Sequence, residues 1–291
     1  MSEPINHHYL PVFYLRQWCD ATGKVVRYYR PHKDVVASPI APENTGYEPF
    51  LYALNGYPDD QKQWIEKNYM GPKVDEPASR ALQTLLARNT PNLSAETRAD
   101  WTRFLMSLAL RDPATVAKTH TDARSELVSK LLRNPEEYDA IRGEDAPPTF
   151  YGWVETHIPH LLDNFGKLIL PDLIENEEIG TVMIRMRWSA FDLSSSGLSL
   201  LTGDRPFIRA HGLKDKRCVI VLPISPRFAF IATHAPETER GLLNAGTKRL
   251  ARDINARIVA QAVKHVYGVS DSHLQFVENR LAPASHELAQ A

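Results

Sequence analysis

A chain of 291 residues with 43% hydrophobic and 24% charged side chains buries roughly three quarters of its extended surface on folding, so it needs no disulfide or metal staple, and disorder is expected only at its ends. Its 34 Lys and Arg stand against 35 Asp and Glu, which excludes a global field drawing the molecule onto nucleic acid or anionic lipid. Cys19 and Cys218 show no CxxC spacing, which argues against a disulfide framework or a zinc site, and both are expected to be buried thiols. Residues 1–8 lack a basic and an apolar region, and the longest apolar stretch, 218–233, is broken by Pro223, Pro226 and Arg227. A cytoplasmic protein with no membrane partner is therefore expected.

Pro11 is suited to the first turn of a helix, and Phe13, Tyr14, Leu15 and Trp18 give that helix, over about 11–19, an apolar face. Residues 24–30, β-branched and aromatic between Gly23 and Pro31, read as a strand. Irregular chain is expected from there to about Tyr57, because Pro39, Pro42 and Pro49 interrupt it. From Asp59 to Asn176 the apolar spacing is helical, as in Ala81, Leu82, Leu85 and Leu86, and predicts four to six helices, one of them capped by Ser94. Beyond Gly180 the period shortens to two through Val182, Ile184, Met186 and Trp188, so strands are predicted over 181–193, 198–202, 217–222 and 228–233. Short connections favour antiparallel pairing, and residues 246–263 return to helix. The expected fold is α+β: a single domain over 1–291, with a helical part (about 59–176) packed on a mainly antiparallel sheet formed by the N-terminal strand and the C-terminal half (about 177–270). Two domains divided near 177 are the alternative.

No GxGxxG, P-loop, HExxH, GxSxG or EF-hand loop is present, which removes the recognisable enzyme classes. Three local groups carry chemistry. His7-His8 precede the Pro11 helix, where an imidazole serves as base or metal ligand, or caps the helix while the neighbouring aromatics enter the core. Asp204 leaves an apolar strand in Thr202-Gly203-Asp204-Arg205-Pro206, either as a functional acid at a strand end or as a turn former bonded to its own backbone. Arg205, Arg209, His211, Lys214, Lys216 and Arg217, with Lys248, Arg249, Arg252 and Arg257, form a local basic set that either receives phosphates or is solvated surface. His157, His160 and Asp163 would share a helix face as a metal-ligand set, were Pro159 not between the histidines.

At His8-Tyr9-Leu10-Pro11-Val12-Phe13-Tyr14-Leu15 the chain resembles the bacterial domain-of-unknown-function family 4238, which opens with His-Tyr-x-Pro-x-x-Tyr-Leu. Further elements follow in the family's order: Pro42-Glu43-Asn44, Phe50-Leu51-Tyr52, Arg111-Asp112-Pro113, Trp188 and Thr202-Gly203-Asp204-Arg205-Pro206. Gly203 stands where the family usually has serine, so a role for that hydroxyl is absent here. The resemblance implies one domain and directs attention to His8 and Asp204; it implies no substrate.

Two functions remain. One is a non-catalytic binding or interaction module in which His8 and Asp204 fix the junction of the helical half and the sheet. The alternative is a hydrolase, metal-assisted in one version, acting on phosphodiesters or another anionic substrate. There His8 is base or ligand, Asp204 is ligand or orienting acid, and Asn44, Arg111 and Arg205 bind the substrate. The cofactor is left open by both, the metal-assisted version of the hydrolase being the one that would need a metal ion.

Overall fold

A computed structural model of the chain describes residues 5–283, other than 89 and 134; the rest of the two ends lies outside the described residues. The strands are β1 (Asn6–His8), β2 (Val25–Tyr29), β3 (Val36–Ile40), β4 (Tyr47–Pro49), β5 (Arg187–Asp192), β6 (Thr202–Gly203), β7 (Ile208–Ala210), β8 (Val219–Pro223), β9 (Phe228–Thr233) and β10 (His265–Gly268). They form a β1-β4 pair and two four-stranded sheets, ordered β3-β2-β10-β6 and β5-β9-β8-β7. Every pairing is antiparallel, and with the helical middle segment this gives an α+β fold.

β8 and β9 are unbroken apolar runs, which suits strands covered on both faces. The Ser225 hydroxyl accepts the N–H groups of Arg227 and Phe228 and so closes the turn between them. β10 lies between β2 and β6, with Tyr267 facing Arg27 on one side and Thr202 on the other. The N-terminal strand thus reaches C-terminal partners, as expected, but in a sheet separate from β5-β9-β8-β7. One apolar cluster contains Tyr14 and Trp18 from the N-terminal region, Leu82, Trp101 and Phe104 from the helices, and Ile220, Phe230 and Tyr267 from the sheets. A second lies under the helix Thr247–Gln261, with Ile254 and Ile258 against Leu201 and Val266.

Several expectations are corrected. The strand predicted over 181–193 starts at Arg187, because 177–185 is a helix capped by the Asn176 side chain, with Glu177 and Glu178 favouring its positive end. The alternation through 182–188 is the overlap of a helical face, which buries Met183, with a strand, which buries Trp188. Of the predicted strand 198–202 only Thr202 is paired, within β6. The supposedly irregular N-terminal stretch holds β3 and β4. Pro39 is accommodated because β3 is an edge strand, where a missing N–H costs no ladder bond. Among the described residues of the middle segment, six helical stretches reach eight residues: Ile65–Asp75, Glu76–Leu86, Ala95–Leu110, Pro113–Leu131, Phe150–His157 and Pro159–Leu168. Ser94 caps the third through the Thr97 N–H, as predicted. The first is a π-helix of 11 residues containing Pro72, and the wider i→i+5 spacing is rare and concentrated at functional sites. Both cysteines are free thiols, Cys218 buried and Cys19 only half-buried.

Candidate functional site

The two most specific sequence elements meet in space. Tyr14 donates its hydroxyl to the Pro223 carbonyl at 2.6 Å and lies 2.9 Å from the Thr202 hydroxyl. The Trp18 indole donates to the Leu200 carbonyl at 2.8 Å. Gly46 holds the preceding segment: its φ is +69°, and a Cβ there would lie 3.1 Å from Leu10, so the Leu10 N–H reaches the Gly46 carbonyl with no side chain in the way. The N-terminal element is thereby fixed against the strand end that carries Asp204.

Asp204 is buried, and its carboxylate is occupied. It accepts the backbone N–H groups of Val263 at 2.9 Å, Lys264 at 2.5 Å and His265 at 2.9 Å, while its own N–H donates to the His265 carbonyl. This clasp fixes the entry into β10. Burial pushes the Asp204 carboxyl up, and the three N–H bonds and Arg205 pull against that. A Cβ on Gly203 would stand 3.1 Å from the His265 carbonyl oxygen, so the absent serine side chain makes room for close strand pairing.

Arg111 lies on the inner side of the same junction and is fully buried. It makes a two-pronged ion pair with Asp75 at 2.8 and 3.1 Å and donates to the His8 carbonyl at 2.7 Å. Its own carbonyl accepts the Tyr52 hydroxyl at 3.0 Å. Burial opposes the Arg111 charge, and Asp75 more than restores it, leaving the guanidinium firmly protonated. The π-helix supplies both Asp75 and Glu66 to this cluster, and burial pushes the Glu66 carboxyl up to about 7 against the pull of Arg111. The His8 imidazole packs edge-on against Tyr47, and burial lowers its pKa. His7 accepts the Tyr52 N–H through Nδ1 at 2.9 Å.

On the outer side of the same chain segments is a cleft of about 210 Å³. Its walls are Tyr9, Glu48, Asp112, Pro113, Ala114, Ala117, Asp204, Arg205, Val263 and Lys264. Consecutive residues therefore face opposite ways: His8 and Arg111 belong to the inner cluster, Tyr9 and Asp112 to the cleft. Asp112 caps the helix Pro113–Leu131 through the Thr115 N–H at 3.2 Å and holds Arg205 at 2.7 Å. Lys264 lies 3.6 Å from Glu48. Tyr9 is 4% exposed; among the described residues its hydroxyl has no hydrogen-bond partner, and burial together with the surrounding carboxylates raises its pKa.

Of the residues singled out from sequence, Asp204 and Arg205 share the cleft, whereas His8 and Arg111 share the inner cluster without lining it. Asn44 is exposed, at the end of the turn Pro42–Asn44, and lines neither. Four of the ten residues of the basic set are paired: Lys214 with Glu178, Arg217 with Asp215, Arg249 with Asp253, and Arg205 with Asp112. His157 and His160 lie on separate helices, because Pro159 starts a new one. His157 engages the Trp153 carbonyl, and His160 packs on Tyr57. Among the described residues no three His, Cys, Asp or Glu side chains converge as metal ligands, and no helix is long and apolar enough to cross a membrane. Sequence reasoning passed over Tyr9 and Asp112, although both sit inside quoted motifs. Glu48, Glu66, Asp75 and Lys264 carry no local signal.

The family model described as "Protein of unknown function (DUF4238)" matches residues 6–272, which takes in both halves of this junction. No curated protein and no solved structure matches the chain.

Proposed function

The chain belongs to the DUF4238 family, and we propose that it is a non-catalytic binding module whose ligand enters the cleft between Tyr9, the start of helix Pro113–Leu131 and the Asp204-Arg205 turn. The observation that carries this reading is the condition of Asp204. A general acid, base or metal ligand needs free carboxylate capacity, and here both oxygens are occupied by three backbone N–H groups. The conspicuous Asp therefore shapes the cleft, and the groups left to meet a ligand are those that bind. We place this activity in the cytoplasm, in a chain that folds as one unit, since β2 finds its sheet partner in β10. Limited proteolysis tests the unit: two separately folded fragments divided near residue 177 would refute it.

The competing reading, a hydrolase of an anionic substrate, draws on Glu66, whose pKa of about 7 beside Arg111 suits proton transfer. A thermal-shift screen of chemically diverse small molecules on wild type and on Ala117→Phe, which fills the cleft, separates the two. Ligands that raise the melting temperature of wild type alone support the binding module. Ligands that act equally on both proteins defeat it.

A further inference from the structure

We propose that the cleft accepts a small molecule carrying an anionic oxygen head, a carboxylate or a phosphate, on a short apolar body. This rests on the binding reading above and follows from which hydrogen-bonding capacity remains unused. The acceptors are nearly exhausted. Asp204 is filled by three backbone N–H groups. Asp112 gives one oxygen to Arg205 and the Thr115 N–H, and the other to the Thr115 hydroxyl. Glu48 alone keeps spare acceptor capacity, at the half-exposed rim beside Lys264.

The donors are in surplus. Arg205 commits Nε and Nη2 to Asp112 and leaves Nη1 free. The Lys264 ammonium has three donors, and its one ion-pair contact lies at 3.6 Å. The Tyr9 ring is almost wholly buried, and its hydroxyl, which bonds to no other described residue, lies on the wall of the cleft as a donor open to a guest. The 19-residue helix Pro113–Leu131 begins in the same wall and adds the positive end of its dipole. The nearby carboxylates are offset only in part, Asp112 by Arg205, Asp204 by its N–H clasp and Glu48 by Lys264 at 3.6 Å. All three still weigh against negative charge at the Tyr9 hydroxyl, so the head must be held chiefly by Arg205 and Lys264. The remaining walls, Pro113, Ala114, Ala117 and Val263, are small and apolar, which suits a short hydrocarbon or a single ring.

The test is calorimetric titration of the full chain with phenyl phosphate, phenylacetate, inorganic phosphate, benzyl alcohol and benzylamine. Phenyl phosphate or phenylacetate should bind at least tenfold more tightly than benzyl alcohol, and the better of the two identifies the head. Lys264→Gln and Tyr9→Phe should each weaken that binding roughly tenfold, the scale of one hydrogen bond to a charged group, at an unchanged ligand-free melting temperature. Ala117→Phe should abolish it. Benzylamine or benzyl alcohol binding as tightly as the acids, and blocked by Ala117→Phe, overturns the anionic head but leaves a cleft that binds. Inorganic phosphate binding as tightly as phenyl phosphate overturns the apolar body. Acid binding indifferent to Ala117→Phe lies elsewhere on the protein and defeats both this inference and the binding reading. Silence across the panel overturns the anionic ligand, and the binding reading then depends on the broader thermal-shift screen.

Discussion

The two faces of the junction are built from the same stretches of chain and differ in how open their polar groups are to a guest. Inside, Arg111 is held by Asp75, the His8 carbonyl and its own helix, with Glu66 beside it. The atoms left without a partner there among the described residues, Arg111 Nε, His8 Nε2 and Glu66 Oε2, are sealed from solvent. Outside, Tyr9, Arg205 and Lys264 keep donors that no protein group uses. Buried, reciprocally bonded charges fix a geometry, while unused donors in a concave site await a partner. The comparison teaches that the most conspicuous charged residues of this chain are its fastenings, and that its binding groups are the less conspicuous neighbours.

The sharpest way to break that contrast is Arg111→Ala. It leaves Asp75 without its counter-charge and removes the bond to the His8 carbonyl, so a loss of about 3 kcal/mol in urea unfolding is expected. A loss below about 1 kcal/mol would show that the inner cluster fastens nothing. Asp204→Asn comes next. An amide cannot accept three N–H bonds in this arrangement, and a cost of about 1 to 3 kcal/mol follows. His8→Ala should cost less than Asp204→Asn, because the bond to Arg111 comes from the His8 backbone and survives truncation. Equal losses in the two melts would instead point to a coupled His8–Asp204 pair.

Glu66 sharpens the comparison through pH. Its folded pKa of about 7 lies above the ordinary value of 4.5, so the fold favours the neutral acid. That contribution is fully present below about pH 4.5 and is lost as pH rises through 7. Glu66→Gln, neutral at every pH, should match wild type near pH 4 and be more stable by about 3 kcal/mol at pH 8. Denaturant curves at the two pH values decide it, and a difference independent of pH would show that folding does not raise the Glu66 pKa. The smallest effect belongs to Tyr9→Phe. Its hydroxyl bonds to no described residue, so stability should change by less than about 0.5 kcal/mol, and a larger drop would mean that the hydroxyl already serves the fold.

What could be seen in the sequence follows from the range of the forces involved. The strand near 25–29, the hairpin strands β8 and β9, the Ser94 cap and the helix 247–261 all carry local periodicity or capping chemistry. β10 and β3 do not, because their pairing depends on partners far away in sequence or on edge position. The π-helix was not foreseen, since Pro72 within it signals interruption. Asp204 could be recognised as a turn-associated acid, and its backbone clasp is the structural alternative that its position offered. Its separation from His8, and the inward and outward division at His8-Tyr9 and Arg111-Asp112, could not be seen, because adjacent residues facing opposite ways leave no trace in composition or spacing. Lys264 and Glu48 become site residues only when β1, β4 and the chain before β10 are assembled.

The most direct test of the division between fastening and binding is a heteronuclear NMR titration of the isotope-labelled full chain with phenyl phosphate. The account predicts saturable shifts at Tyr9, Ala114, Ala117, Arg205 and Lys264, while Glu66, Asp75 and Arg111 stay in place. Shifts centred on Glu66 and Arg111, with the cleft residues silent, would contradict it and transfer the site to the inner cluster.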